Sequence, residues 1–575
     1  MEDRWITDWK PSERFPLYTR ANAGEVLPEP CSPLSWELCH AQGMALGWAD
    51  GIHRWGSFTP DETNAEQPEF IACFGGYFYL NASCLRLVGV RTPGLTADTM
   101  DNLFLGDHPD VPVYIPQEGD DRPELSAKIE ETMGALMSAV VAPDELTEDR
   151  EKMLAACANR PNLSTASNEE LVARARSMSP LIREFFDPYY VYGTASSFGN
   201  GILTELLVGI DPSLPGRLVS GIGDIDSAPP AHDMWELSRQ VTASEELSSA
   251  FNHGIDGLEK QLSESDEGNR FLEAVADFAT THGARGPQEW DAASPTWGID
   301  SYGVFAAIDA MRHADESLSP ANRFTRTVKD RKLAETEARE ALSGNEEALG
   351  ALDLGLRLAD IYVPTRERTK LTVMLAVHEV RLAMYELGKR MVNQEMIAHP
   401  REIFLLLNSE LDQFIVDPAA MVETLKQRKI DFAKLGELEV PFIINGTVPP
   451  LSQWGVRDSS FTPGKVGEEL VGIPGSPGIV TGKARVITDP NDPQGLEPGE
   501  ILVAPITDPA WTPLFIPAGG VVVEVGAAQS HAMILSREFG VPCAASVYQA
   551  ATKITTGSII RVDGNTGTVT IVELA

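Results

Sequence analysis

Cysteine is scarce in this chain: six in 575 residues, at positions 31, 39, 73, 84, 157 and 543, with no C-x-x-C pair and no regular spacing. That argues against a disulfide framework and a structural zinc ribbon, and leaves the six as small apolar residues of a core. Uninterrupted apolar runs of about 18 residues, the length that crosses a bilayer, are missing. The opening MEDRWITDWK has neither the basic nor the apolar region of a signal peptide, so a cytoplasmic protein is expected. Positive charge is also short. Lys and Arg number 46 against 84 Asp and Glu, a net charge of -38. A surface of that sign repels phosphate backbones and anionic lipid, which argues against nucleic acid and membrane partners. What remains is an ordinary globular composition, 43% apolar and 23% charged. At about 100–200 residues per domain, the length allows roughly three to five domains.

Composition and texture change between Pro449 and the cluster Gly472-Ile473-Pro474-Gly475-Ser476-Pro477-Gly478. The expected division is therefore a mainly helical domain at 1–449, a linker at 450–471 and a small β/α domain at 472–575, an α+β multidomain protein overall. Before the boundary, Val373, Val377, Val380, Met384, Leu387 and Met391 recur at helical spacing, and a second helix is predicted after Ser319-Pro320. Phe70–Leu80, aromatic with Gly75-Gly76 at its centre, reads as strand. After the boundary, 480–487, 501–504, 520–525, 541–545, 559–562 and 568–572 read as strands. One helix, 531–539, stops at Gly540 before Pro542. Residues 471–575 carry 5 Lys/Arg and 9 Asp/Glu, so the acidic excess lies mostly in the first 470.

The chemistry concentrates in Gly520-VVVEV-GAAQS-His531-AMILSREFG. A buried strand, a tight loop and a histidine opening a helix place an imidazole beside free main-chain amides, which bind an anion without a cationic side chain. Such an imidazole can attack a phosphoryl group and hold it as a phosphoramidate. Gly526, Gln529 and Ser530 would form the loop around the phosphate, with Arg537 two turns on. Other motifs fail on spacing: Gly478–Ala484 is one residue short of a P-loop and lacks its terminal Ser/Thr, and Leu382 stands where a zincin motif starting at His378-Glu379 needs its second histidine. No metal ligand set is picked out.

The His531 segment resembles the phosphohistidine signature of the swivelling domain of phosphoenolpyruvate-utilising enzymes, approximately G-G-x-x-S-H-A-A-I-x-A-R-E-x-G-I-P. It matches at Gly526, Ser530, His531, Ala532, Ile534, Arg537, Glu538, Gly540 and Pro542. Gly475-Ser476-Pro477-Gly478, Asp508-Pro509-Ala510-Trp511-Thr512-Pro513 and Asp563-Gly564-Asn565-Thr566-Gly567 extend the resemblance across the domain. Two departures stand out: Ala527 replaces the second glycine, and Ala545-Ser546 replaces a usual Val-Gly pair.

The first 470 residues resemble the substrate-binding part of the rifampin phosphotransferases and phenylphosphate synthases, through Thr19–Pro28, Tyr79-Leu80-Asn81, His282–Glu289 with Asp291 and Pro295-Thr296-Trp297, and Arg366-Glu367-Arg368-Thr369-Lys370. The resemblance implies that Arg366 and Lys370 meet the phosphoryl group, a bidentate clamp and a point cation, although i,i+4 charges also suit a plain helix surface. Glu25 is the expected general base for the acceptor hydroxyl. Arg20, Arg285, Glu289 and Asp291 are expected in substrate binding, with a buried ion network as the other reading of the last three. The chain starts where an ATP-grasp domain normally ends. The resemblance to the large subunit of phenylphosphate and 4-cresol (alkylphenol) phosphate synthases therefore implies a separate ATP-grasp subunit, ATP with Mg2+, and a small aromatic hydroxyl substrate. The alternatives are a split rifamycin-type antibiotic phosphotransferase and a non-catalytic phosphocarrier.

Overall fold

The computed structural model describes residues 3–105, 108, 110–457, 462–489, 496–526 and 530–575. These form two compact units. One comprises Met1–Ala195, Trp290–Ser294 and Arg368–Ser459; the other comprises Ser196–Glu289, Pro295–Glu367 and Ser460–Ala575. The mostly helical N-terminal region is followed by a C-terminal mixed β-sheet domain, as the sequence pattern predicts. Among the described residues no helix is long and apolar enough to cross a membrane.

In the first unit a four-stranded antiparallel sheet runs in the order Ile71–Phe74, Tyr77–Asn81, Leu17–Thr19, Ile443–Asn445. The aromatic segment at 70–80 is a hairpin turned by Gly75 and Gly76, at φ 60 and 78, the left-handed region that favours glycine. Its Phe70, Phe74, Tyr77 and Phe78 are all buried. Phe74 and Tyr77 share a core with Trp5, Tyr18, Tyr79 and Trp454. The helix expected over 371–392 is the end of a longer one, Glu346–Asn393, and the division between the units falls inside it.

In the second unit an eight-stranded sheet has Ile479–Val486, Ile501–Ala504, Gly520–Val523 and Cys543–Ala545 parallel at its centre. Antiparallel strands Ile559–Asp563, Thr568–Glu573 and Glu469–Val471 flank one side and Ile473–Ser476 the other. Side chains alternate across a strand, so Val522 joins the core under one face while Val521 and Val523 join the core under the other. That second core takes in Met533, Leu535 and Phe539 of the helix His531–Phe539. It continues into Trp235, Phe251 and Phe305 of the helices at 229–312. The C-terminal domain thus shares one core with helices of residues 196–367.

Candidate functional site

Strand Gly520–Val523 leads to Gly526, and Ser530 caps a helix whose first residue is His531. Residues 527–529, including the expected loop residue Gln529, lie outside the described residues. Ser530 is extended and its hydroxyl accepts from the Met533 amide at 3.4 Å. A Cβ on Gly526 would stand 3.1 Å from that hydroxyl, so glycine lets the main chain at 526 lie against the cap. The departure at Ser546 meets the same glycine. Its φ is 53, a conformation that glycine adopts freely, and its hydroxyl donates to the Gly526 carbonyl at 2.9 Å. The helix ends on Gly540 at φ 61, a left-handed cap.

Both ring nitrogens of His531 face threonines. Nε2 lies 3.2 Å from the Thr512 hydroxyl and Nδ1 3.5 Å from that of Thr507, with the Phe515 ring edge-on at 5.9 Å. Both threonines are buried, and His531 is half-buried. In a neutral ring one nitrogen donates while the other accepts from a hydroxyl, so the pair holds the imidazole in plane and leaves one lone pair for a phosphorus atom once its threonine turns away. Asp508 sets the turn between them: one carboxylate oxygen accepts from the Ala510 amide at 2.9 Å, capping the short helix Pro509–Phe515. The sequence motif contained Asp508 and Thr512. Nothing in it marked Thr507, Thr512 or Phe515 as neighbours of a histidine some 20 residues away.

Arg537 is buried, its Nε donating to the Gly475 carbonyl at 2.7 Å and its Nη2 reaching the Met533 sulfur at 3.9 Å. Burial pulls its pKa down to about 10. It ties the His531 helix to strand Ile473–Ser476. Next to it, Glu538 accepts from the Ile222 amide at 3.2 Å, and burial pushes its carboxyl up to about 7. Arg323, on the helix Pro320–Ala341, donates to the carbonyls of Ile516 and Ala518 at 2.8 and 3.1 Å.

The other expected residues fall in two groups. In the second unit, Arg366 Nη1 donates to Glu367 at 2.6 Å, and Glu367 accepts a bond from Ser227. Ser227 also accepts from Arg285 Nη2 at 3.0 Å, and Arg285 Nε lies 3.3 Å from Glu289. Arg366, Arg285 and Glu289 thereby form one chain of polar contacts. One turn before Arg366, Val363 packs with Ile225 and Ile534, and Ile534 lies one turn after His531. In the first unit, Arg20 is buried against Tyr77 and Tyr79, its guanidinium donating to the carbonyls of Phe78, Leu27 and Pro28. Burial lowers its pKa. Asp291 accepts from both the amide and the hydroxyl of Ser32, at 3.0 and 2.6 Å, and from the Ala293 amide at 2.9 Å. Glu25 sits half-buried on the short helix Ala23–Val26, and Lys370 half-buried on the long helix. Among the described residues, no group of three His, Cys, Asp or Glu side chains is placed to hold a metal.

Residues 496–567 match the family described as PEP-utilising enzyme, mobile domain, and residues 190–367 match the rifampicin phosphotransferase fourth domain. The rifampicin phosphotransferase of Bacillus subtilis is 27% identical over 335 residues, 55% of this chain and 36% of that protein. The chain is a distant homologue of the rifampicin phosphotransferases. The uncharacterized phosphotransferase YvkC of Bacillus subtilis is 26% identical over 358 residues, covering 59% of this chain and 41% of its own length. The prodigiosin synthesizing transferase PigC of Serratia marcescens is 27% identical over 433 residues, 71% of this chain and 46% of PigC. The chain spans less than half the length of these homologues. The two matched segments meet in the second unit, where the mobile domain and the fourth-domain helices share their core.

Proposed function

We propose that this chain is the histidine-bearing component of an ATP-dependent phosphotransferase. His531 receives a phosphoryl group and passes it to the hydroxyl of a phenol or alkylphenol such as 4-cresol. ATP is bound, with Mg2+, by a separate ATP-grasp subunit, and AMP and phosphate are the other products. The observation that carries this reading is the placement of His531: first residue of a serine-capped helix, with a threonine hydroxyl at each ring nitrogen. In the loading step the unprotonated ring nitrogen forms a P–N bond to the β-phosphorus of ATP as the bond to AMP breaks, water cleaves the β–γ bridge to release phosphate, and the amides of the helix start face the phosphoryl oxygens that remain. In the delivery step the acceptor oxygen forms its bond to phosphorus, the P–N bond breaks, and the hydroxyl proton passes to a base, the role proposed for Glu25. Arg366 and Lys370 are proposed to neutralise the phosphoryl group in flight. Packing of Ile534 on Val363 supports the Arg366 part, since each lies one helical turn from the residue in question.

Delivery is proposed to follow a swing of the 472–575 domain on the 450–471 linker. The test supplies the cognate ATP-grasp subunit and [β-32P]ATP and follows label first on protein and then on a phenol panel. Wild-type protein is expected to take up acid-labile label and release it to a phenol, and His531→Ala to take up none. Full labelling of His531→Ala overturns the reading. A rifamycin-type acceptor is the second reading, favoured by the match over 190–367. It predicts transfer to the macrocycle and none to phenols, while label that stays on His531 with every acceptor points to a non-catalytic carrier.

A further inference from the structure

Asp508 has a second contact, outside its own domain. While one carboxylate oxygen caps Pro509–Phe515, the other accepts from the main-chain amide of Gln288 at 2.8 Å. Gln288 belongs to the loop after the helix Asp266–His282, among the helices on which the C-terminal domain is packed. That loop is held from behind. The Trp297 amide donates to the Arg285 carbonyl at 3.0 Å and the Gly298 amide to Gly283 at 3.1 Å. Gln288 itself adopts φ 47, a left-handed conformation uncommon outside glycine, so the loop presents this amide from a strained backbone. A non-glycine residue is kept in such a conformation only where surrounding structure fixes it, and here the amide meets a carboxylate.

The same carboxylate orders the turn that carries both His531 neighbours. Thr507 immediately precedes it, and Thr512 lies on the helix it caps. We propose that Asp508 is a positioning residue that reports docking of the C-terminal domain to the His531 ring. With the domain docked, the Gln288 amide fixes the carboxylate and both threonine hydroxyls are held against the ring. With the domain swung away, that oxygen turns to water, the turn loosens and a ring nitrogen is uncovered. Docking therefore tightens the threonine clamp and undocking frees His531 to be loaded. The inference rests on the reading of His531 as a phosphoryl carrier.

The test is a double-mutant cycle in the full chain, with potassium phosphoramidate as a small phosphoryl donor and His531→Ala as the blank. Asp508→Asn keeps an oxygen for the Ala510 amide but turns an NH2 toward Gln288, donor against donor. Arg323→Lys weakens docking at a distance, because an ammonium cannot span the carbonyls that the guanidinium reaches. Asp508→Asn is expected to speed labelling of His531 roughly threefold or more, the low end of coupling between neighbouring groups. Arg323→Lys is expected to act in the same direction, and the double variant to be no faster than the faster single one. Wild-type labelling in Asp508→Asn, or effects that multiply in the double variant, overturns the proposal, since a cap acting only inside its own domain is indifferent to docking. If wild-type protein takes no label on His531, the carrier reading fails instead. The ring 15N shifts of His531, assigned against His531→Ala and followed through the same cycle, then decide the coupling: non-additive shifts sustain it and additive shifts overturn it.

Discussion

The guanidinium of Arg323 donates to the main-chain carbonyl of Ile516 at 2.8 Å, a bond between the rifampicin-phosphotransferase-like helices and the mobile domain. The same nitrogen reaches Ala518 at 3.1 Å, and the other terminal nitrogen reaches Phe539 at 3.5 Å. The group is buried, and burial pulls its pKa down to about 10. The three acceptors are carbonyl dipoles, so the contact joins the two parts without pairing the guanidinium with a buried carboxylate. A core shared with Trp511, Phe515 and Phe539 supplies the apolar part of the same contact.

Arg323→Met is therefore expected to loosen the docked domain. Leaving buried carbonyls unbonded costs about 1–3 kcal/mol. Amides of the helix His531–Phe539 should exchange hydrogen several-fold faster by mass spectrometry, while those of the hairpin 71–81 keep their rates. Unchanged exchange at 531–539 would remove Arg323 from the docking contact.

Docking should also weaken as pH rises, through Glu538. Its carboxyl is raised from 4.5 to about 7 by burial, against the opposing pull of the amides of Ile222, Gly223 and Gly221 and the charge of Arg331. A carboxyl whose pKa is higher in the packed state binds its proton more tightly there. The stabilisation is complete below the free value of 4.5 and is lost as pH climbs through 7, a change of about 3 kcal/mol at most. Glu538→Gln keeps an oxygen for the Ile222 amide and loses the charge. Denaturation midpoints measured from pH 4.5 to 8 are expected to fall for wild type and to run flatter for Glu538→Gln. Parallel curves would count against the assignment.

Local signals were legible in the sequence and non-local ones were not. Helix 531–539 is marked at both ends, by Ser530 and by Gly540 with Pro542, and the central strands are runs of Val, Ile and Ala between turn residues. Ile473–Ser476 lies in the Gly-Pro cluster and carries no strand signal, because Pro474 and Gly475 have little strand propensity. It is a strand through its pairing with Cys543–Ala545. The long helix was visible only over its second half, since Pro364 reads as a stop. His531 was legible from its own segment. Thr507, Thr512, Arg323 and the Gln288 amide are recognisable only when the chain is folded, because a threonine or a buried arginine has no distinctive local pattern.

Asp291 and Arg366 should separate into different phenotypes. Asp291 collects three hydrogen bonds from Ser32 and Ala293 with 3% of its surface exposed. Asp291→Ala strands those donors and is expected to destabilise its unit by about 2–4 kcal/mol, seen as a lower denaturation midpoint. Arg366 keeps 18% of its side chain exposed and pairs with the adjacent Glu367. Arg366→Ala is expected to shift the midpoint little and to slow release of phosphoryl from labelled His531 by about tenfold or more. A stable Asp291→Ala, or an unfolded Arg366→Ala, would reverse these roles.

The glycine at 564 makes the sharpest packing prediction. Its amide donates to the Gly478 carbonyl at 2.8 Å, and a Cβ built on it would stand 1.9 Å from the Ser476 carbonyl oxygen and 3.0 Å from the Cys543 amide nitrogen. Those atoms are main chain of two paired strands, so no side-chain rotation relieves the clash. Gly567, at φ 74, meets the same strand: a Cβ there would lie 2.5 Å from the Ile473 carbonyl carbon. The Asp563-Gly564-Asn565-Thr566-Gly567 motif is thus a turn that lets two backbones cross closely, at the edge where strand Ile473–Ser476 joins the sheet. Gly564→Ala must move that strand, which also carries the carbonyl that holds Arg537. The expected result is a loss of about 2–4 kcal/mol in the second unit. Faster amide exchange across 473–476 and 531–539 should accompany it, with the hairpin 71–81 unaffected. An alanine variant as stable as wild type would mean that the strand does not lie where the motif requires it.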